Sequence, residues 1–144
     1  MIYTKMTKKA LRICFDVHKE HMDKSGMPYV FHPFHLAEQM NDEVTTVVAL
    51  LHDVVEDSDV TFEDLEKEGF DRVVVDALKL LTHKDDSVLY LDYVAKIKGN
   101  PIAKAVKLAD LKHNTDLSRL DVIDEKALKR RQKYLDAIQL LEDN

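Results

Sequence analysis

The residues with the most chemical potential stand together at His52-Asp53 and Glu56-Asp57. On a helix Asp53 and Glu56 are i, i+3, while Asp53 and Asp57, like His52 and Glu56, are i, i+4; such pairs are neighbours. Three carboxylates and an imidazole therefore crowd one helical end. Val44, Val47, Val48, Leu51 and Val55 recur at helical spacing just before and among them. That spacing predicts one helix over 44–57 whose buried stripe runs into the acidic cluster. Like charges at that spacing repel, and burial strengthens the repulsion. A bound divalent cation is the simplest agent that makes such a cluster favourable.

Further ligands are His32, held in a stiff His-Pro dipeptide, and Asp110, in Lys107-Leu108-Ala109-Asp110. With His52 and Asp53 they form a set drawn from three separate helices. Two imidazoles and two carboxylates suit Mn²⁺, Fe²⁺ or Zn²⁺ better than Ca²⁺ or a thiolate-seeking ion. Four protein ligands leave positions open for water and substrate, as catalysis requires. Lys107 is either a phosphate contact or a charge behind the ligands. Asn114 lies one turn beyond Asp110 on the same face, with His113 beside it on a less favourable one. His18, His21, His35 and His83 read as ordinary polar or half-buried residues.

The elements that must position these residues are helical throughout. Predicted helices run from a Thr7 cap to about Asp23, from Pro33 to Met40, and over 44–57. A short one follows a Thr61–Asp64 capping box and is closed by Gly69. Others cover a stripe of Val73, Val74, Ala77, Leu78 and Leu81, then Asp86 to Lys98, Pro101 to Leu117, and Glu125 to Leu141. No segment alternates with period two. The fold class is all-α, one domain over residues 1–144, with seven or eight helices.

The 144 residues are 45% hydrophobic and 33% charged, which suits one helix-rich domain with a real core. The formal net charge of −6 argues against a nucleic-acid polymer as partner but not against a small phosphorylated nucleotide beside a metal. Cys14 is the sole cysteine and is expected to pack in the core. No run approaches the roughly 20 apolar residues of a membrane span, and no signal-peptide pattern is present. A cytoplasmic setting is expected.

Three stretches carry a resemblance. They are Lys24-Ser25-Gly26-Met27-Pro28-Tyr29-Val30-Phe31-His32-Pro33, Ala49-Leu50-Leu51-His52-Asp53-Val54-Val55-Glu56-Asp57, and Val106-Lys107-Leu108-Ala109-Asp110 with His113-Asn114. In this order they resemble the HD-domain phosphohydrolases, and within them the hydrolase domain of the Rel/Spo (p)ppGpp enzymes. Asn100-Pro101 and Asp116-Leu117-Ser118-Arg119-Leu120 are more similar to the short stand-alone type. The resemblance implies one Mn²⁺ on His32, His52, Asp53 and Asp110, and hydrolysis of the 3′-pyrophosphate of (p)ppGpp by a metal-bound water. It implies that Glu56 and Asp57 handle that water, and that Lys24, Ser25 and Asn114 line the nucleotide pocket. The family's synthetase domain has no room in 144 residues. Two positions depart from the long enzymes: Asp23 replaces an arginine and Leu117 a threonine. Asp23 is expected to face solvent at a helix end, and base selectivity to be weak. The competing readings are a broader HD-class nucleotide phosphatase and a catalytically silent nucleotide-sensing module.

Overall fold

The computed structural model describes residues 1–143. The chain forms α1 (Lys5–His18), α2 (Phe31–Glu38), α3 (Glu43–Leu51), α4 (Val54–Asp57), α5 (Phe62–Lys67), α6 (Arg72–Leu81), α7 (Tyr90–Ile97), α8 (Pro101–Asn114) and α9 (Glu125–Glu142), with a 3-10 turn at Leu117–Arg119. Among the described residues there is no strand, only an isolated bridge between Met22 and Pro28. No helix among them is long and apolar enough to cross a membrane.

Helix α3 is the hub. Thr46, Val47, Val48, Ala49, Leu50 and Leu51 are all buried, so it is apolar on every side rather than on one stripe. A helix of that kind must be surrounded, and α1, α2, α6 and α8 pack around it. Cys14 is fully buried in the same core, as its composition suggested.

The predicted 44–57 helix is broken into α3 and α4. His52 Nδ1 lies 2.6 Å from the carbonyl oxygen of Ala49 and donates to it, in place of the amide that would continue the helix. Asp53 then adopts φ −110°, ψ 1°, outside helical geometry.

Three other predicted helices end or start elsewhere for one shared reason. In Asp23-Lys24-Ser25, Asp85-Asp86-Ser87 and Asp116-Leu117-Ser118 the Asp Oδ1 accepts the Ser amide at 2.9, 3.0 and 3.0 Å and the Ser hydroxyl at 2.6, 2.6 and 2.5 Å. Such side-chain turns compete with the helical ladder. They leave α1 ending at His18, start α7 only at Tyr90, and follow the end of α8 at Asn114. Gly26 sits inside the first of these loops at φ 80°, where a side chain would be strained. Thr4, rather than Thr7, caps α1: Thr4 Oγ1 accepts from the Thr7 amide, and Thr7 Oγ1 from the Thr4 amide. Helix α2 starts two residues before Pro33, within the first turn, where amides have no helical partner and proline is tolerated. The Thr61–Asp64 capping box forms as expected. Val73, read as inward, is exposed; Val75 fills the interior instead.

Candidate functional site

The break after α3 is what brings His52 and Asp53 together. Adjacent residues on a continuous helix point about 100° apart. Here the chain turns between them, and His52 Nε2 comes 3.1 Å from Asp53 Oδ2. With Nδ1 of His52 committed to Ala49, Nε2 is left as a lone pair. It is buried and has no hydrogen-bond partner. The start of α2 supplies His32, whose Nε2 is 2.8 Å from Asp110 Oδ1 on α8. The same Asp110 oxygen is 3.8 Å from His52 Nε2. Suitable donor atoms of His32, His52 and Asp53 all lie within 4.8 Å of one another.

This centre fits a divalent cation on its own chemistry. The buried Asp110, the half-buried Asp53 and an unpartnered imidazole nitrogen converge, and each is a donor that a cation would satisfy. Burial raises the Asp53 carboxyl well above the usual range, and the charges of Asp110, Asp57 and Glu56 add to it. Burial acts on Asp110 in the same direction, but Lys107 and the two histidines outweigh it and hold that carboxyl well below the usual range. Lys107 Nζ is 2.9 Å from Asp110 Oδ2 and lies over the Tyr93 ring at 5.3 Å. Lys107 is thus a charge behind Asp110, which lies outside the His32, His52 and Asp53 group. Asn114 Nδ2 donates to Asp110 Oδ1 at 3.0 Å, so it also holds that carboxylate in place. Tyr29 donates its hydroxyl to Asp53.

A cavity of about 480 Å³ opens onto this centre. His32, Asp53, Glu56, Lys107, Asp110 and Asn114 line its inner part, and Lys24 and Ser25 line it from the loop after α1. Glu56 Oε1 accepts the His83 amide at 2.7 Å, which fixes the carboxylate at the cavity wall. The expected acidic pair is split: Asp57 is exposed and is not among the lining residues. Although the residue is exposed, neighbouring atoms partly desolvate its carboxyl and raise it above the usual range, against the charges of His21, His52 and Lys84.

Asp23 is neither helical nor solvent-facing. Its Oδ1 accepts from the amides of Ser25 and Met27 and from the Ser25 hydroxyl, and its Oδ2 is 3.4 Å from Arg119. Its side chain is only 12% exposed.

Three features escaped the sequence reading. His113 stacks on His32 with ring centroids 4.9 Å apart, and the two Nδ1 atoms are 2.7 Å apart. When His32 donates to His113 through Nδ1, its Nε2 is freed for a cation. His18, read as ordinary, is fully buried, and burial lowers it to about 4. Arg130, Lys133 and Tyr134 of α9 line the cavity together with Lys24. Burial lowers the Lys24 ammonium from its usual value, and the charges of Arg130 and Lys133 add to it. Only the extent of α9 was visible in the sequence. Its neighbouring cation Arg131 donates to the Thr115 carbonyl.

No family model matches the chain. It is 34% identical over 129 residues to the guanosine-3′,5′-bis(diphosphate) 3′-pyrophosphohydrolase of Borreliella burgdorferi, covering 78% of this chain and 19% of that protein. The enzyme of the same name from Aquifex aeolicus is 37% identical over 70 residues, 46% of this chain and 10% of the relative. A probable GTP pyrophosphokinase of Mycobacterium leprae is 32% identical over 146 residues, 88% of this chain and 18% of its own length. The chain therefore spans less than a fifth of these curated relatives. A solved structure of a metazoan ortholog of SpoT that hydrolyzes ppGpp superposes with a TM-score of 0.76 at 25% identity, covering 99% of this chain and 88% of that one. Fold and site define an all-helical domain with a His/Asp centre able to hold a divalent metal. These likenesses in sequence and fold support a Rel/Spo hydrolase-like domain.

Proposed function

We propose that this chain is a metal-dependent hydrolase that removes the 3′-pyrophosphate of guanosine 3′,5′-bis(diphosphate) or a closely related nucleotide in the cytoplasm. The observation that carries the reading is a cavity with two chemical poles. One pole is formed by His32, Asp53 and Asp110, with His52 3.1 Å from Asp53; the other is the basic set Lys24, Arg130 and Lys133, for which no carboxylate partner is found among the described residues. A nucleotide carrying diphosphates on both its 3′ and 5′ oxygens presents two anionic ends to such a cavity.

The four donors would hold Mn²⁺, with Fe²⁺ or Zn²⁺ suited to the same nitrogen and oxygen set. When bound, such an ion polarises a phosphoryl oxygen and makes water a better nucleophile near neutral pH. Glu56, fixed by the His83 amide, is the carboxylate placed to take the proton from the attacking water. Asp57 adds negative charge one turn from Asp53 and supports the proton's departure. Lys24 and Ser25 hold the nucleotide from the loop after α1. Lys107 and Asn114 orient Asp110 and keep its charge defined. Water attack breaks the bond between the ribose 3′ oxygen and phosphorus, and the leaving 3′ oxygen ends as a hydroxyl.

The test is a product screen over 3′- and 5′-phosphorylated nucleotides, with Mn²⁺ and with chelator. Pyrophosphate released from the bis(diphosphate), abolished by chelator, supports the reading. Faster release of orthophosphate from simple mononucleotides would replace it with the broader phosphatase reading, and nucleotide binding without turnover with a sensing module.

A further inference from the structure

The proposed function leaves the nucleobase unplaced, and one corner of the cavity has chemistry suited to it. Arg119, from the 3-10 turn, reaches across to the loop after α1. One terminal nitrogen donates to the His113 carbonyl at 3.0 Å, and the other to Asp23 Oδ2 at 3.4 Å. The side chain is 25% exposed, and it lines the cavity with Met22, Leu117 and Leu120. Its orientation is fixed at both ends, and its charge is partly offset by Asp23. Lys24, Arg130 and Lys133 have no such offset, so a phosphate is better served there. A guanidinium that is locked, partly neutralised and flanked by apolar side chains suits an uncharged polar edge.

We infer that Arg119 is the specificity-determining residue for the base, and that it selects a 6-oxo purine over a 6-amino purine. The inference rests on the nucleotide hydrolase reading above. Guanidinium carries five N–H donors and no acceptor, and two of the donors are committed here. The others can only meet acceptors. Guanine offers two adjacent acceptors, O6 and N7, whereas adenine places an amino donor beside N7. Asp23 cannot read the base: one of its oxygens already holds three donors and the other faces Arg119. Its part is to position Arg119. The weak base selectivity expected from Asp23 and Leu117 alone gives way to this assignment.

The experiment compares the 3′,5′-bis(diphosphates) of guanosine and adenosine with Mn²⁺. It reads kcat and KM separately for the unaltered chain, Arg119→Ala, Arg119→Lys and Asp23→Asn. The unaltered chain should favour guanosine by on the order of 10- to 100-fold in kcat/KM, chiefly through KM. Arg119→Ala should bring the ratio near one by weakening guanosine alone. Arg119→Lys, which folds with a cation but no fork, should not restore it. Asp23→Asn should reduce the ratio in part. Turnover of both nucleotides at similar kcat/KM by the unaltered chain overturns this assignment while leaving the hydrolase reading intact. So does an equal loss for both in Arg119→Ala, which would make Arg119 a phosphate contact or a structural clasp. Turnover of neither nucleotide overturns the hydrolase reading, and this assignment with it.

Discussion

Lys107 and a bound cation compete to neutralise the same carboxylate, and Lys107→Met exposes that competition. Lys107 Nζ lies 2.9 Å from Asp110 Oδ2, with side chains 13% and 9% exposed. At an effective dielectric of ~20 the Coulomb attraction is about 6 kcal/mol before desolvation is subtracted. Removing one partner of a buried pair typically destabilises by roughly 3–5 kcal/mol, because the remaining charge is stranded. For a domain of this size that lowers Tm by roughly 10–20 °C. Without metal, Asp110 and Asp53 would have no lysine charge to offset them, so the metal-free variant should show the full loss. Methionine preserves the length and apolar stem, so packing on Tyr90 and Tyr93 is largely kept. Added Mn²⁺ supplies the missing positive charge and should recover much of the loss. The assay is thermal unfolding of both chains across a Mn²⁺ titration. The predicted signature is a larger Mn²⁺-induced rise in Tm for Lys107→Met than for the unaltered chain. Equal shifts in the two chains would refute the shared-charge argument.

Glu56→Gln should lower kcat by ~10²-fold or more with metal content unchanged; Asp57→Asn, whose side chain is exposed, should lower it less, and loss of metal in either would make that residue a ligand. His113→Phe should keep the fold and weaken Mn²⁺ binding by ~10- to 100-fold, the scale for losing a group that orients a ligand histidine, and equilibrium dialysis measures it. His18 is held neutral by burial, with smaller contributions from His21, His52 and His32, and its value falls to about 4. Its contribution to stability is therefore complete above the ordinary histidine value of ~6.5 and is lost as pH falls from there towards 4. Denaturant unfolding between pH 7 and 4 should show this limb, and His18→Leu should flatten it.

The chemistry of the centre was legible because it is local. His52-Asp53-Glu56-Asp57 is one stretch, and His32-Pro33 and Asp110 stand out by residue type. The capping box at Thr61 and the end signal at Gly69 were legible for the same reason. The break between α3 and α4 was not, because Val44 to Val55 keeps perfect helical spacing through it; only the reach of the His52 ring back to Ala49 ends the helix. The Asp-x-Ser turns were written in the sequence at Asp23, Asp85 and Asp116, but apolar periodicity on either side outweighed them. His113 and Arg119 were hidden for a different reason. Their roles come from contacts across the fold, His113 to His32 and Arg119 to Asp23, and no spacing within one helix announces them.

The central claim is that water attacks phosphorus of a 3′-pyrophosphate and expels the ribose 3′ oxygen. Single-turnover hydrolysis of guanosine 3′,5′-bis(diphosphate) in ¹⁸O-labelled water with Mn²⁺, read by mass spectrometry, tests it most directly. The account predicts equal amounts of pyrophosphate carrying one ¹⁸O and unlabelled guanosine 5′-diphosphate. Orthophosphate as the first product, or label in the nucleotide, would contradict it.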